Sequence, residues 1–282
     1  MLDAVRAEAL KLRGHRATWM MVWVCPVVIA VVAIGILVYH MVSGPGAAVP
    51  MKPAGEWVRD SAVFWRFPAS PPGRVLIAGF ATLVFAGEYG WNTWKLIIPA
   101  RSRWQLIAAK WIVAFGFVLA AYIAADLIGL LATWLQSFQG DKIPEGVTLA
   151  AVAQAHVRAA GHTLVPIAFT IALAGMFAIL TQSMLATAIL SIVIIILEGM
   201  LPLLAILAYA RAPGLTEAVV EVLPLYHLIN LGAGAKGILF MLPLAPPHML
   251  TFSWAASMAV VLGWTAAAGA VTLLQFRRQD LN

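Results

Sequence analysis

What most limits the fold of this chain is a series of long apolar runs that carry almost no charge. They span Thr18 to Val42, Val75 to Tyr89, Trp104 to Trp134, His162 to Leu180, Met184 to Tyr209 and Met249 to Phe276. A bilayer core is about 30 Å thick and takes roughly 20 helical residues to cross, and within it each backbone amide must bond inside its own helix. Six such runs predict an all-α integral membrane protein, one domain of six transmembrane helices with both termini on the same side. The balance of 62% hydrophobic against 11% charged residues excludes an ordinary soluble domain. The first run is too long for a cleaved signal peptide and no small-residue cleavage site follows it. Pro26 inside it is tolerable where neighbouring helices satisfy the freed carbonyl. The second run is short, which leaves Glu88 near a membrane surface.

The formal charge of +6 does not imply nucleic acid, because the basic residues flank apolar runs and form no reading motif. Anionic lipid headgroups are the expected partner. Cys25 is the single cysteine, so an intrachain disulfide and a multi-cysteine metal knuckle are both excluded. With the N-terminus cytoplasmic, that side holds Arg6, Lys11, Arg13, Arg16, Lys95, Arg101, Arg103, Lys110, Arg277 and Arg278. The other side holds Lys52, Arg59, Arg66, Arg74, Lys142, Arg158, Arg211 and Lys236, mostly in longer loops that also carry acids. Short loops dominate the positive-inside bias, so both termini are expected in the cytoplasm, with the chain in the cytoplasmic membrane.

Four segments outside the runs have their own logic. Leu2, Val5, Ala9 and Leu12 recur at helical spacing among charges, which predicts an amphipathic helix over residues 1–16 on the inner leaflet. Gly55 to Phe67 mixes Trp57, Phe64 and Trp65 with charges between prolines, as an interfacial anchor or a cap on the outer mouth would. Residues 211–247 are too apolar for an exposed loop and too interrupted for a span, and short re-entrant helices reconcile the two. Phe85 to Lys110 sets Glu88, Lys95, Arg101, Arg103 and Lys110 among Trp91, Trp94 and Trp104, which reads as a surface-lying, docking element.

Asp126 in the third run and Glu198 in the fifth are acids where a charge is costly, so they are candidates for the transport pathway. Each could instead be protonated and hydrogen-bonded in a structural role. His40, His156, His162, His227 and His248 fall toward the outer side near Met41, Met51, Met241 and Met249, but no pair has the i, i+4 spacing of a metal site, and none is expected. Gly232 to Gly237 (GAGAKG) lacks the order of a phosphate loop, and no Walker motif, H-E-x-x-H or G-x-S-x-G occurs. The chain is therefore not expected to be an enzyme. A proton-coupled secondary transporter using Asp126 and Glu198 is an alternative, although the internal repeats usual in such proteins are not evident.

An N-terminal helix with Glu8 and Lys11, a second span closing on Gly87-Glu88-Tyr89, and then Thr93, Pro99, Arg103 and Lys110 resemble the permease subunit of ABC-2-type transporters. The near-absent loop at Gln182 and Ser183, the broken segment before the last span and the tail Arg277, Arg278 and Asp280 extend the likeness over the chain. Asn92 departs from it, since the family commonly has glycine there. The resemblance implies a cytoplasmic coupling segment over residues 89–103, helical from Tyr89 to Ile98 and ended by Pro99. Glu88, Tyr89, Thr93, Lys95, Arg101 and Arg103 would couple it to an ATP-binding subunit, with Glu88 paired to Arg101, to Arg103 or to a partner arginine. It further implies two copies of that ATPase, which bind the ATP and Mg2+, a second permease copy in a homodimer, no cofactor on this chain, and export of a hydrophobic or amphipathic substrate.

Overall fold

A computed structural model of the chain describes residues 1–43, 52–91, 93–97, 101–138, 142–245 and 248–279. The helices are α1 (Leu2–Arg13), α2 (Arg16–Val22), α3 (Val24–Ser43), α4 (Ala54–Ser61), α5 (Pro71–Gly90), α6 (Trp94–Ile97), α7 (Arg103–Gln136), α8 (Leu149–Thr181), α9 (Met184–Gly199), α10 (Leu201–Tyr209), α11 (Pro213–Val222), α12 (Pro224–Gly234) and α13 (Trp254–Arg278). A one-turn 3-10 helix, Val63–Arg66, precedes α5, and strands β1 (Leu242–Ala245) and β2 (His248–Leu250) precede α13.

Local chemistry sets several of these boundaries. Ser70, Thr148, Ser183 and Ser253 cap α5, α8, α9 and α13, each accepting from the backbone N–H three residues on. A cap of this kind contributes about 1 kcal/mol. Between α8 and α9 the chain reverses in two residues, with Gln182 in the left-handed region at φ 53°.

Four helices are long and apolar enough to cross a bilayer, namely α3 as far as Val42, α7, α8 and α13. The pair α9 and α10, bent by 56° at their junction, makes a fifth. The remaining expected span is α5, whose 20 residues reach ~30 Å. Arg74 and Glu88 keep it from being one of those five, and it packs against protein along most of its length. Phe80, Ala81, Val84, Phe85 and Ala86 on it are essentially without exposure.

Several expected boundaries move. The run from Thr18 to Val42 is two helices with a break at Trp23. The fourth helix begins at Leu149 and not at His162, because the alanine-rich stretch before His162 stays helical although Gln154 and Arg158 end its membrane character. At 33 and 34 residues, α8 and α7 reach ~50 Å and overrun a bilayer. Met249 lies in β2, so the last helix starts at Trp254.

Within residues 211–247 the expected short helices form as α11 and α12, but the segment then enters an antiparallel hairpin of β1 and β2, an exception to the all-α reading. Two side chains satisfy its broken backbone. The Tyr226 hydroxyl donates to the Phe240 carbonyl at 2.5 Å and accepts from the Phe252 N–H. Asn230 donates to the Phe252 carbonyl and accepts from the Phe240 N–H.

The start of α7, the turn between α8 and α9 and the ends of α1, α5 and α13 gather at one end of the bundle, the terminal face. α4, the 3-10 turn, α11, α12 and the hairpin lie at the other.

Candidate functional site

At the terminal face, two acids and two lysines from three helices share one buried cluster. Lys110 of α7 is 2% exposed, and its ammonium donates to Glu88 of α5 at 3.1 Å, to Glu8 of α1 at 3.1 Å and to the Val84 carbonyl at 2.7 Å. Lys11 of α1 reaches the same Glu88 oxygen at 2.5 Å and Glu8 at 2.8 Å. Burial draws Lys11 toward its neutral form, but Glu8 and then Glu88 outweigh this and hold its pKa above the ordinary lysine value. Burying Glu88 and Lys110 is expensive, and it is tolerable here because the charges of the cluster cancel and both buried groups are fully hydrogen-bonded. Thr93 completes the set: its hydroxyl donates to the second Glu88 oxygen and its N–H to the Glu88 carbonyl, which folds the chain back under α5.

The next layer fixes the end of α13. The Tyr89 hydroxyl donates to the Gln279 side-chain oxygen at 2.6 Å, and the Gln279 amide donates to the Ile179 carbonyl of α8 at 2.6 Å. One Arg103 nitrogen lies 2.7 Å from the Phe276 carbonyl, 3.0 Å from that of Arg277 and 2.7 Å from that of Gln279. A cation there satisfies carbonyls that a helix end leaves unpaired and complements the helix dipole. Trp94 bridges the layers, with its ring 4.6 Å from that of Phe276 and the Lys110 ammonium 5.3 Å from its face.

The expected docking residues thus separate into two groups. Glu88, Tyr89, Thr93 and Arg103 are engaged inside the protein, with Lys110, which joins them. Lys95 and Arg101 are exposed. Glu88 meets neither Arg101 nor Arg103: Arg101 pairs with Asp3 at 3.1 Å, and the lysines of α1 and α7 reach the buried carboxylate instead. The continuous helix expected from Tyr89 to Ile98 is also revised. α5 runs on to Gly90, Trp91 caps it and a separate four-residue helix follows. Asn92, Pro99, Met51 and Asp280 lie outside the described residues.

Glu198 and Asp126 each have a partner that the sequence did not indicate. Glu198, on α9 next to the bend, forms an ion pair with Arg74 of α5, which was expected in an outer loop but is 3% exposed. Arg74 also donates to Thr170 of α8 at 2.9 Å. Asp126 lies ~35 Å along α7 from Arg103, near the opposite end of the bundle. Its carboxylate is 2.7 Å from His156 Nδ1, whose Nε2 is 3.1 Å from the Ser61 hydroxyl of α4. The Ser61 hydroxyl also donates to the Val58 carbonyl at 2.8 Å, and the three residues tie α4 to α7 and α8. Of the remaining outer histidines, His162 packs on Trp254, His227 bonds Ser257, and His248 lies 2.9 Å from Glu217.

Residues 4–209 match the family model described as ABC-2 family transporter protein. No curated protein matches the chain. The matched range takes in the four-charge cluster and the Arg74–Glu198 pair and ends with α10.

Proposed function

Since this chain belongs to the ABC-2 transporter family, we propose that it is the permease subunit of an ATP-binding cassette exporter in the cytoplasmic membrane. In this reading two copies of the chain form the pathway, and each docks one separate ATPase subunit that binds ATP and Mg2+. α5 completes six spans, both termini and the terminal face are cytoplasmic, and the substrate is hydrophobic or amphipathic.

One observation carries the reading. The segment that follows α5 is bonded through Thr93, Trp94 and the Glu88 cluster to α1, α5, α7 and α13 together. A force applied to such a segment moves four helix ends as a unit, as a rigid-body switch between inward-open and outward-open states requires. Docking falls to its exposed side chains, Trp91, Lys95 and Arg101, while Glu88, Tyr89, Thr93 and Arg103 transmit the motion. Asp126 and Glu198 remain candidates for shaping the pathway. Glu198 is engaged with Arg74 in an ion pair between α9 and α5, which counts for a structural role and against proton coupling through it.

The test is reconstitution with an ATPase encoded beside this chain. Copurification and ATP hydrolysis stimulated by apolar compounds are expected. Transport driven by a proton gradient without ATP would reject the proposal.

A further inference from the structure

An open groove of about 500 Å3 runs between the N-terminal helices and α7. Val5, Ala9 and Arg13 form one face of α1, Trp19 and Trp23 flank the groove, and Ile112 to Ala120 of α7 form its floor over ~12 Å. The walls are apolar, with two exceptions. Arg13 stands at the mouth and forms no ion pair among the described residues. Thr18 lines the groove with 0% exposure, and its hydroxyl has no partner among the described residues.

The geometry points to a resident site for one anionic phospholipid, with an acyl chain in the groove and its phosphate on Arg13. Two features fit this occupant. The groove lies within the membrane segment of α7, beneath the amphipathic α1, and the exposed cations Arg6 of α1 and Arg16 of α2 leave the local charge positive. The Trp19 indole donates to the Arg13 carbonyl at 3.0 Å, which holds an interfacial side chain beside the expected headgroup. An uncharged apolar molecule would fill the groove but leave Arg13 unused.

Gly116 on the floor makes the site testable, because a side chain added there meets no atom within 4 Å and would enter the groove without a clash at its base. The full chain is purified in mild detergent, stripped of loosely bound lipid, and offered phosphatidylglycerol or phosphatidylcholine. Retained lipid is counted by native mass spectrometry, and melting is followed in parallel. Wild type is expected to retain one phosphatidylglycerol at least tenfold more strongly than phosphatidylcholine. Arg13→Ala should erase the preference, and Gly116→Trp should abolish retention of either lipid. Ala120→Leu serves as a milder block if Gly116→Trp does not fold, and Arg211→Ala, at the junction of α10 and α11, should leave retention unchanged. Equal retention of the two lipids, undiminished retention in both blocked variants, or capture of an uncharged molecule in place of a phospholipid would each overturn the proposal.

Discussion

The Lys110 ammonium lies 3.1 Å from the Glu88 carboxylate with both side chains 2% exposed, so α5 and α7 meet through a charge pair sealed from water. Breaking such a pair from one side strands the other charge and costs about 3–5 kcal/mol, whereas removing both partners is far milder. Glu88→Gln and Lys110→Met should each lower stability strongly. The double variant should be less destabilised than the sum by about 1–3 kcal/mol, because Glu8 and Lys11 remain as a balanced pair. Denaturation of the four proteins in micelles closes the cycle, and strict additivity would show that the two residues act independently.

Arg103 carries a separate prediction. Its three carbonyl partners close the end of α13, so Arg103→Gln should cost about 1–3 kcal/mol locally. Hydrogen exchange over the last turn of α13 should accelerate by at least tenfold while the helix middle is unchanged. Uniform acceleration along α13 would mean a global effect.

The sequence revealed the cost of each buried charge but not the group that offsets it. Glu88, Arg103 and Lys110 could be grouped from their order around one turn. The partner of Glu88 lies 77 residues away in a helix that looked like a surface element, and no local pattern encodes that approach. Arg74 was misplaced for a related reason. Next to prolines and before an apolar run it reads as a loop cation, and only the packing of α5 against α8 and α9 makes a buried position tolerable. A polar residue can end membrane character without ending a helix, which is why α8 starts well before its apolar part. The hairpin of β1 and β2 escaped because its strands are four and three residues long, too short for alternation to register.

Close backbone packing gives a third prediction. A methyl group at Gly73 would lie 1.9 Å from the Phe67 carbonyl oxygen and 2.7 Å from its carbon, and backbone atoms there cannot swing aside. Gly73→Ala should destabilise by at least the ~1–3 kcal/mol typical of overpacking. Gly35→Ala in α3, with nothing within 4 Å, should be neutral or gain up to about 1 kcal/mol. Thermal melting of the two variants decides, and a tolerated Gly73→Ala would refute the tight turn before α5.

The Arg74–Glu198 pair separates structure from transport. Glu198→Gln alone should destabilise by about 3–5 kcal/mol, because the guanidinium loses its charge partner. Arg74→Met with Glu198→Leu should recover most of that stability. Because the pair ties α5 to α9 beside the bend at Met200, the recovered double variant should still transport poorly. Wild-type transport by a stable double variant would remove Glu198 from the pathway and leave the pair a purely structural role.

Lys95 distinguishes docking from transmission. It is exposed on the short α6 and makes no ion pair among the described residues, so none of their contacts depends on its charge. Lys95→Glu should therefore change stability by no more than ~0.5 kcal/mol. On the docking reading the same reversal places an acid against the ATPase surface, where a mismatched charge slows association and weakens the complex. ATPase copurification should fall several-fold and recover partly at high salt, as a screened exposed charge requires. Glu88→Gln should show the opposite pattern, with a large loss of stability and little salt dependence in whatever complex survives. If Lys95→Glu binds the ATPase as wild type does and Glu88→Gln alone impairs it, the contact surface lies elsewhere on the terminal face, and α6 is a brace instead of a docking element.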